Sequence, residues 1–493
     1  MRVAVGVVLA VAVVLRFVAV SHLWLDEALT VNVARLPLDQ IPEALRHDGA
    51  PPLYYVLLHG WMRVLGTSEL AVRALSGVFA VAALPLIWVL ARRMAGIRVA
   101  WAALLILAAS PFSIRYATEV RMYSLVVLLV LGGTLALVEL LDRRSTRAAV
   151  GLGLCAGLLL YTHYWSIYLL ATVGVLLTVR AMRGTGPERA PARRAVAAIA
   201  AGCLLFLPWL PSFLSQLRNT GTPWGASGNL RSLFDTVTHF AGGYWDFGIA
   251  LGLVYFALLT LGVLGRAVDD RIEIDLRGHA PGPFLATVLF GTLAVAVVAG
   301  RLGGSAYAVR YAAVILPVLV LLMAIGTEAL PSPRAYRMVL GLVVVLGFAA
   351  CIPNVVGDRT SAARVASALR EQAQPGDVVA YCPDQLGPSV SRLLPAGGLD
   401  QLTFPRSGSP QFVDWVGYEA ASKAASPAAF ARMLVERAGT RDIWVVWAPG
   451  YRTFKAKCQA LLSELHEVRP ENTRVVKVST KYLERPGLAR FPA

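Results

Sequence analysis

The amino-acid sequence predicts a polytopic α-helical membrane protein, with about eleven transmembrane helices, that carries a small C-terminal α/β domain. The chain has 493 residues, of which 57% are hydrophobic and only 15% are charged, whereas soluble domains carry roughly 25% charged residues. Apolar runs of about 18 residues or more, long enough to cross a bilayer, recur along most of the chain. After about Asp358 these runs stop, and short β-branched segments alternate with helical ones.

The first apolar run, from Val3 to Val20, is expected to be a retained membrane helix. Asp26 and Glu27 follow it, rather than the small-residue cleavage site of a signal peptide. We predict a transmembrane domain of residues 1–356 and an α/β domain of residues 357–493. The predicted spans lie at about residues 3–20, 70–91, 98–113, 121–141, 148–161, 165–180, 195–214, 248–265, 283–300, 311–330 and 338–354.

The arginines set the expected orientation. The net charge is +16, a value that by itself is also compatible with a nucleic-acid-binding protein. The arginines, however, concentrate in short connections between the apolar runs, at Arg92–Arg98, Arg143–Arg147 and Arg180–Arg194. The positive-inside rule places these connections in the cytoplasm. We therefore expect a cytoplasmic N-terminus, an extracytoplasmic C-terminal domain, the lipid bilayer as a partner and no nucleic-acid partner. The composition is typical of a GC-rich bacterial genome. We expect the protein in the inner (plasma) membrane.

The first outer loop, residues 21–69, is long and patterned. Leu25–Leu36 and Leu38–Arg46 have helical apolar spacing that Pro37 interrupts. These helices can lie along the membrane surface with their apolar faces in the lipid. The aromatic run at Tyr54 fits either an interfacial belt or a surface on which a sugar stacks.

The C-terminal region predicts a structural or acceptor-docking module, because it has no phosphate-cradling loop. If the region is extracytoplasmic, Cys382 and Cys458 can form a disulfide; the sequence leaves this open. The helical segments are Ser361–Gln372, Leu434–Gly439 and Phe454–Val468, and the β-branched runs are Asp377–Tyr381, Asp442–Trp447 and Thr473–Val478.

The adjacent carboxylates Asp26 and Glu27 are the leading functional candidates. Charged side chains at membrane depth are costly, and they commonly mark functional sites. The alternative is that the pair marks the water interface or caps the next helix. These residues alone leave both interpretations open.

A second charged cluster runs from Arg115 to Tyr123, between the third and fourth predicted spans. Arg115 and Glu119 are spaced i, i+4, so they can pair on one helical turn. The functional alternative is that Arg115 or Arg121 binds a phosphate, for which a guanidinium group is well suited.

Two further polar positions lie on the same predicted side. His163, next to Tyr164, can donate a hydrogen bond to a phosphate or a sugar hydroxyl, or be an ordinary hydrogen-bonding residue. Arg310 stands at the outer start of the tenth span. It can hold a lipid phosphate or simply extend its charged end to the water interface.

The order of these motifs resembles the GT-C class of membrane glycosyltransferases, in particular the bacterial dolichyl-phosphate-mannose-protein mannosyltransferase-like and lipid-A-sugar-transferase-like group. The resemblance covers roughly residues 10–320. It implies the GT-C fold and a hexosyl or pentosyl transferase that uses a polyprenyl-phosphate sugar donor and a glycan, lipid or protein acceptor at the outer face of the membrane. In chain order the motifs are Asp-Glu, Pro-Pro-Leu-Tyr-Tyr, Arg-Tyr-x-x-Glu-x-Arg-Met-Tyr, Thr-His-Tyr and Arg-Tyr.

The resemblance also implies roles for single residues. Asp26 is expected to be the general base, with Glu27 and Glu119 as further catalytic carboxylates. A divalent cation on these three carboxylates is an option that no ligand spacing requires. The residues expected to bind substrate are Arg115, Arg121, Tyr123, His163, Tyr164, Arg310, Tyr54 and His47.

One departure from the family pattern concerns the residue before Pro-Pro-Leu-Tyr. Many relatives carry histidine there, whereas this chain has Ala50, with His47 slightly upstream as a substitute. The expected chemistry is otherwise coherent. A carboxylate accepts the proton of the attacking sugar hydroxyl, cationic groups stabilise the departing phosphate, and direct attack inverts the anomeric carbon.

The alternative function is a lipid-linked-sugar flippase or transporter. Such proteins are commonly built from internal repeats with polar groups near the membrane midplane. The sequence has no obvious repeat, and its charged groups cluster on one predicted side, so transfer is the preferred hypothesis.

Overall fold

The computed structural model describes residues 2–184, 186–222, 224–304 and 306–493, and it consists of a helical part followed by an α/β part. The first part also contains a two-stranded antiparallel hairpin, β1 (Gly265–Val268) and β2 (Arg271–Ile274). Its helices are α1 (Arg2–Leu15), α2 (Leu25–Arg35), α3 (Ile41–Asp48), α4 (Leu53–Leu65), α5 (Glu69–Ala108), α6 (Pro111–Ala117), α7 (Tyr123–Arg143), α8 (Thr146–Thr162), α9 (Ser166–Arg183), α10 (Gly186–Leu204), α11 (Leu210–Asn219), α12 (Leu230–Phe240), α13 (Asp246–Leu264), α14 (Gly282–Gly303), α15 (Leu316–Gly326) and α16 (Pro333–Val356).

Within the described residues, eight helical segments are long and apolar enough to cross a membrane, and two shorter apolar helices, Val3–Leu15 and Thr146–Thr162, accompany them. Each predicted span overlaps one of these ten segments. The second and third spans both fall in α5, which Gly96 interrupts with a φ of 87° and a ψ of −177°. The multi-pass helical architecture is confirmed, whereas the number of crossings stays a prediction.

The first helix ends at Leu15, before the predicted boundary at Val20, and Arg16 follows it directly. Its guanidinium group is fully buried and donates hydrogen bonds to the carbonyl oxygens of Leu107, at 2.8 Å, and Ala108, at 3.0 Å. These carbonyls at the end of α5 have no partner within their own helix. Arg16 therefore satisfies them and attaches the end of α1 to α5.

Small residues allow the membrane helices to approach closely. At the crossing of α8 and α10, a Cβ atom on Gly202 would lie 2.2 Å from the carbonyl oxygen of Gly153. Close backbone contact of this kind stabilises helix pairs in lipid, where the hydrophobic effect does not drive association.

The first outer loop folds into α2, α3 and α4, with Pro37 between the first two helices as predicted. The expectation that α2 lies on the membrane surface is wrong. Nine of its eleven residues are buried, including Glu27 and Asn32. Helix α2 packs between α4 and the C-terminal α/β part, so it is an internal element.

The C-terminal part is a five-stranded mixed sheet with helices on both sides. The strand order is β4-β3-β5-β7-β6; the pairs β3–β4 and β3–β5 are parallel, and the pairs β5–β7 and β6–β7 are antiparallel. The strands are β3 (Val378–Cys382), β4 (Asp400–Thr403), β5 (Ile443–Trp447), β6 (Thr473–Val476) and β7 (Gly487–Phe491). The helices are α17 (Ala362–Gln372), α18 (Gly387–Ser391), α19 (Tyr418–Ala424), α20 (Pro427–Ala438) and α21 (Lys457–Val468).

The predicted α/β class is confirmed, with two strands missed. Helices α17 and α21 and strands β3, β5 and β6 lie where the sequence pattern placed them. Strand β4 was missed because its sequence, Asp-Gln-Leu-Thr, is half polar, and β7 because Gly487 and Arg490 interrupt its apolar pattern. Helix α20 begins at Pro427, well before the predicted segment.

A disulfide cross-links the α/β part internally, and hydrogen bonds connect it to the helical part. Cys382 at the end of β3 is bonded to Cys458 at the start of α21. Asn32 of α2 donates to the carbonyl oxygen of Gln411 at 2.8 Å, and the amide of Trp415 donates to the carbonyl oxygen of His47 at 3.0 Å. The α/β part is thus attached directly to the first outer loop.

Candidate functional site

A cavity of ≈ 350 Å³ lies between the first outer loop and the α/β part. Both the helical part and the α/β part supply charged and aromatic side chains to its wall. The lining residues include Trp24, Asp26, Asp48, Arg121, Trp224, Arg310, Tyr311, Gln385, Trp415, Tyr451, Glu484 and Arg485. Asp26, Arg121 and Arg310, three predicted site residues from distant parts of the sequence, therefore share one cavity.

Asp26 and Arg310 are neighbours in this cavity. Asp26 stands in the first turn of α2, and its carboxylate oxygen Oδ2 lies 3.5 Å from Nη2 of Arg310. The two side chains are 18% and 25% exposed, respectively, and the guanidinium carbon of Arg310 lies 5.0 Å from the centre of the Trp224 ring. Arg310 therefore does not extend to a water interface but is held over an aromatic ring beside the acid.

Arg121 approaches the cavity from the segment before α7. Its Nη1 donates to the hydroxyl of Thr30 at 3.0 Å and to that of Tyr55 at 3.4 Å. Tyr55 in turn donates to Asp48 at 2.8 Å. Burial raises the pKa of Asp48, although Arg121 and the Tyr55 hydrogen bond act in the opposite direction. Asp48 lines the cavity but is not among the predicted site residues; its place shortly before Pro-Pro-Leu-Tyr was the available signal.

Glu27 points away from the cavity. Its side chain is fully buried, and Arg73 donates to both carboxylate oxygens, from Nε to Oε1 and from Nη2 to Oε2, each at 2.8 Å. The amide of Val120 adds a bond to Oε1 at 3.2 Å. Burial alone would raise the pKa of Glu27, but Arg73 and Arg359 lower it below its usual value. The arrangement gives Glu27 a structural role beside the expected base.

Glu119 is also enclosed by arginines. Arg115 lies 2.9 Å from it, which is the predicted i, i+4 pair, and Arg359 lies 3.9 Å away. Arg359 also donates to the carbonyl oxygen of Thr118 at 2.8 Å and connects Glu119 to Glu27, which lies 3.6 Å from it. Neither Glu119 nor Arg115 lines the cavity with Asp26, so this cluster supports the loop that carries Arg121.

Three aromatic residues that were predicted to bind substrate do not line this cavity. Tyr54 hydrogen-bonds to Ser76 at 2.7 Å. Tyr164 hydrogen-bonds to Gln216, whose amide nitrogen donates to the carbonyl oxygens of Leu45 and Ala50. Tyr123 is buried with its ring 5.7 Å from that of His163. These three tyrosines therefore pack against the segments that form the cavity.

His163 is close to the cavity but not charged. Its ring centre lies 5.0 Å from that of Tyr311, a lining residue. Burial, with the nearby charges of Arg121 and Arg310, lowers the pKa of His163 to about 3. Its Nδ1 accepts a hydrogen bond from the amide of Trp165 at 3.2 Å, so the proton of the neutral ring is on Nε2. His163 therefore offers a neutral donor rather than a cation.

His47 does not line the cavity that holds Asp26. It lies half-exposed at the junction with the α/β part, where Nδ1 is 2.9 Å from Asp414 and Nε2 is 3.7 Å from Glu43. The residue that reaches the cavity at the motif position is Ala50 itself.

The carboxylates do not form a metal centre. Among residues 2–184, 186–222, 224–304 and 306–493, no group of three or more His, Cys, Asp or Glu side chains is arranged to hold a metal ion. Glu27 and Glu119 are each directed to arginines instead.

The contribution of the α/β part to the cavity wall was not predicted from the sequence. Tyr451, Glu484 and Arg485 line the cavity, although Glu484 is more than 450 residues from Asp26 in the chain. No local pattern marks these positions, because only the folded sheet brings them to the first outer loop.

A family model supports the resemblance over part of the chain. Residues 49–211 match the model for dolichyl-phosphate-mannose-protein mannosyltransferase. No curated protein matches the sequence significantly.

Solved structures resemble the chain along its full length. ArnT from Cupriavidus metallidurans aligns in its apo state with a TM-score of 0.67 at 14% identity and in its undecaprenyl-phosphate-bound state with a TM-score of 0.63 at 15% identity; both alignments cover 99% of this chain and 98% of that one. The arabinofuranosyltransferase AftD from Mycobacteria aligns with a TM-score of 0.52 at 15% identity, over all of this chain and 42% of that one. The chain therefore has the fold of the GT-C class of membrane glycosyltransferases.

Proposed function

We propose that the protein transfers a sugar from a polyprenyl-phosphate-linked donor to an acceptor hydroxyl, with Asp26 as the general base. The observation that carries this proposal is the 3.5 Å approach of Asp26 to Arg310 in a cavity that Arg121 also lines. A carboxylate that can accept a proton and two guanidinium groups that can bind a phosphate are thereby brought together. These are the groups that such a transfer needs.

The reaction follows from this arrangement. The acceptor oxygen attacks the anomeric carbon while the bond from that carbon to the phosphate oxygen breaks. The acceptor proton passes to Asp26, and the electron pair of the broken bond stays on the lipid phosphate, whose charge Arg310 and Arg121 stabilise. A single displacement inverts the anomeric configuration. Binding both substrates in one cavity removes much of the entropic barrier.

The location of the reaction is part of the proposal. We place the cavity at the outer face of the plasma membrane, with the N-terminus in the cytoplasm. The arginine-rich connections support this orientation. The Cys382–Cys458 disulfide supports an oxidising environment for the α/β part. The transferred group is a hexosyl or pentosyl unit.

The test of the proposed base is Asp26→Asn in the full-length protein. We expect transfer to be abolished while expression and binding of a polyprenyl-phosphate sugar are retained, and Asp142→Asn, at an exposed position near the end of α7, should behave as wild type. Full activity in the Asp26 variant would exclude this assignment. Lipid-linked-sugar profiling of a deletion strain should show an accumulated donor and a missing glycan linkage. Proteoliposomes that separate sugar transfer from lipid translocation test the flippase alternative, which the matched family and fold do not favour.

A further inference from the structure

The α/β part reaches the cavity through a fixed segment around Glu484. The backbone amide of Glu484 donates to the carbonyl oxygen of Arg359 at 2.9 Å, and its own carbonyl oxygen accepts from the amide of Ser361 at 3.1 Å. Thr360 and Glu484 form an isolated parallel β-bridge. The segment is therefore held against the chain that leaves α16, directly beside α2.

The side chain of Glu484 has an unused hydrogen-bonding atom in this wall. Glu484 is only 3% exposed, and its Oε1 accepts a bond from the hydroxyl of Ser389 at 2.9 Å. Within the part of the chain that the structure describes, Oε2 is buried and forms no hydrogen bond of good geometry, although the hydroxyl of Thr360 and the amide of Leu25 approach the carboxyl group. Such atoms are rare in native proteins and call for an explanation. A ligand in the cavity that hydrogen-bonds to Oε2 would explain this atom.

A second unused group belongs to the same wall. The indole Nε1 of Trp24 is buried and, among the described residues, has no hydrogen-bond partner. Trp24 lines the cavity with Glu484, so the wall includes both an unused donor and an unused acceptor. A hydroxyl group can satisfy both kinds of group, because it donates one hydrogen bond and accepts others.

The aromatic residues beside Glu484 indicate what carries the hydroxyl groups. Trp415, Tyr451 and Gln385 line the cavity on the α/β side. The side chains of Trp and Tyr combine a large apolar ring with one polar N–H or O–H group. That combination suits a sugar, which has apolar C–H faces and polar hydroxyl edges.

We propose that the α/β part forms the acceptor subsite and that Glu484 binds a hydroxyl of a neutral glycan acceptor. This inference rests on the proposed transfer and specifies its acceptor. The charges divide accordingly. Arg121 and Arg310 serve the donor phosphate, whereas Glu484 offers a carboxyl group that can hydrogen-bond to an acceptor hydroxyl. Glu484 acts in acceptor binding and not in proton transfer from the attacking hydroxyl, which is assigned to Asp26.

The first test measures binding without turnover. Methyl glycosides of neutral hexoses and pentoses are titrated into the detergent-solubilised full-length protein, with the corresponding sugar phosphates and a short peptide as competing classes. We expect a neutral glycoside to bind and Glu484→Ala to weaken that binding by about tenfold or more. Glu436→Gln, at an exposed position of α20, is the matched control. Preferential binding of the phosphates or the peptide would overturn the inference.

The second test separates acceptor binding from the donor reaction. With a polyprenyl-phosphate sugar, we expect Glu484→Ala and the isosteric Glu484→Gln to raise the KM for the glycan acceptor and to leave slow donor hydrolysis by water unchanged. Loss of donor hydrolysis in both variants, or an unchanged acceptor KM in both, would contradict the acceptor role. Donor hydrolysis that persists in Asp26→Asn would instead contradict the proposed base, so the two failures are distinguishable.

Discussion

Glu27 is bound by Arg73 through two hydrogen bonds of 2.8 Å, while the preceding residue, Asp26, faces the cavity and Arg310. Consecutive residues of an α-helix point about 100° apart. The first turn of α2 can therefore direct one carboxylate into the protein and the other into the site. The proximity of the acids in sequence does not make them a catalytic pair.

Replacing Glu27 should affect folding, whereas replacing Asp26 should affect chemistry. Glu27→Gln leaves the buried guanidinium group of Arg73 without its counter-charge, and removing one partner of a buried ion pair costs about 3–5 kcal/mol. We expect the Glu27→Gln protein to unfold at a clearly lower temperature in detergent, and Asp26→Asn to unfold near wild type. A stable but inactive Glu27→Gln protein would show instead that Glu27 takes part in the reaction.

The sequence could place Asp26 and Arg310 at a shared site because each lies next to an apolar span on the same expected side. It could not separate the roles of Asp26 and Glu27, because side-chain direction depends on where α2 packs. It also gave no indication of Glu484. The bridge from Glu484 to Thr360 joins segments whose pairing has no local pattern, and the adjacent strand β7 is interrupted by Gly487 and Arg490.

The disulfide should stabilise the α/β part substantially. Cys382 and Cys458 are 76 positions apart, and in the chain-entropy model a loop of that length contributes about 4 kcal/mol. We expect Cys382→Ser and Cys458→Ser to lower the unfolding temperature equally, and the double variant to add little. Cys203→Ser is the control, since Cys203 is unpaired among the described cysteines. Thiol labelling of unreduced wild-type protein at Cys382 would contradict the bond.

Two buried carboxyl groups predict a pH-dependent stability. Burial raises the pKa of Glu484 and of Asp384 to about 7 in each case, whereas in an unfolded chain these groups have values of about 4.3 and 3.9. The folded protein therefore binds more protons than the unfolded protein between about pH 4 and pH 7, and its stability is greatest below this interval and falls as the pH rises through it.

Thermal unfolding of the full-length protein at a series of pH values measures this contribution. Glu484→Gln and Asp384→Asn should each reduce the loss of stability between pH 5 and pH 7.5, because neither amide ionises. Glu436→Gln, in which an exposed group is changed, should leave the profile as in wild type. If all three variants gave the pH profile of the wild-type protein, the two buried groups would not become protonated as expected.

Arg310 should contribute mainly to departure of the lipid phosphate. Its guanidinium group is held over Trp224 at 5.0 Å and beside Asp26 at 3.5 Å, so it is already oriented before the donor binds. Losing one preorganised group that stabilises developing charge commonly lowers kcat by roughly 100-fold or more. We expect Arg310→Met to show such a loss and Arg310→Lys an intermediate one, since lysine keeps the charge without the planar geometry.

The comparison of donors with different leaving groups distinguishes this role from simple support of Asp26. If Arg310 stabilises the phosphate, Arg310→Met should become more sensitive to the acidity of the leaving phosphate ester, while Arg337→Ala, at an exposed position of α16, should match wild type. If Arg310 acts only by orienting Asp26, that sensitivity stays as in wild type and the rate falls equally for every donor. Because the guanidinium group lies within reach of the acid as well as the cavity, only the dependence on the leaving group separates the two contributions.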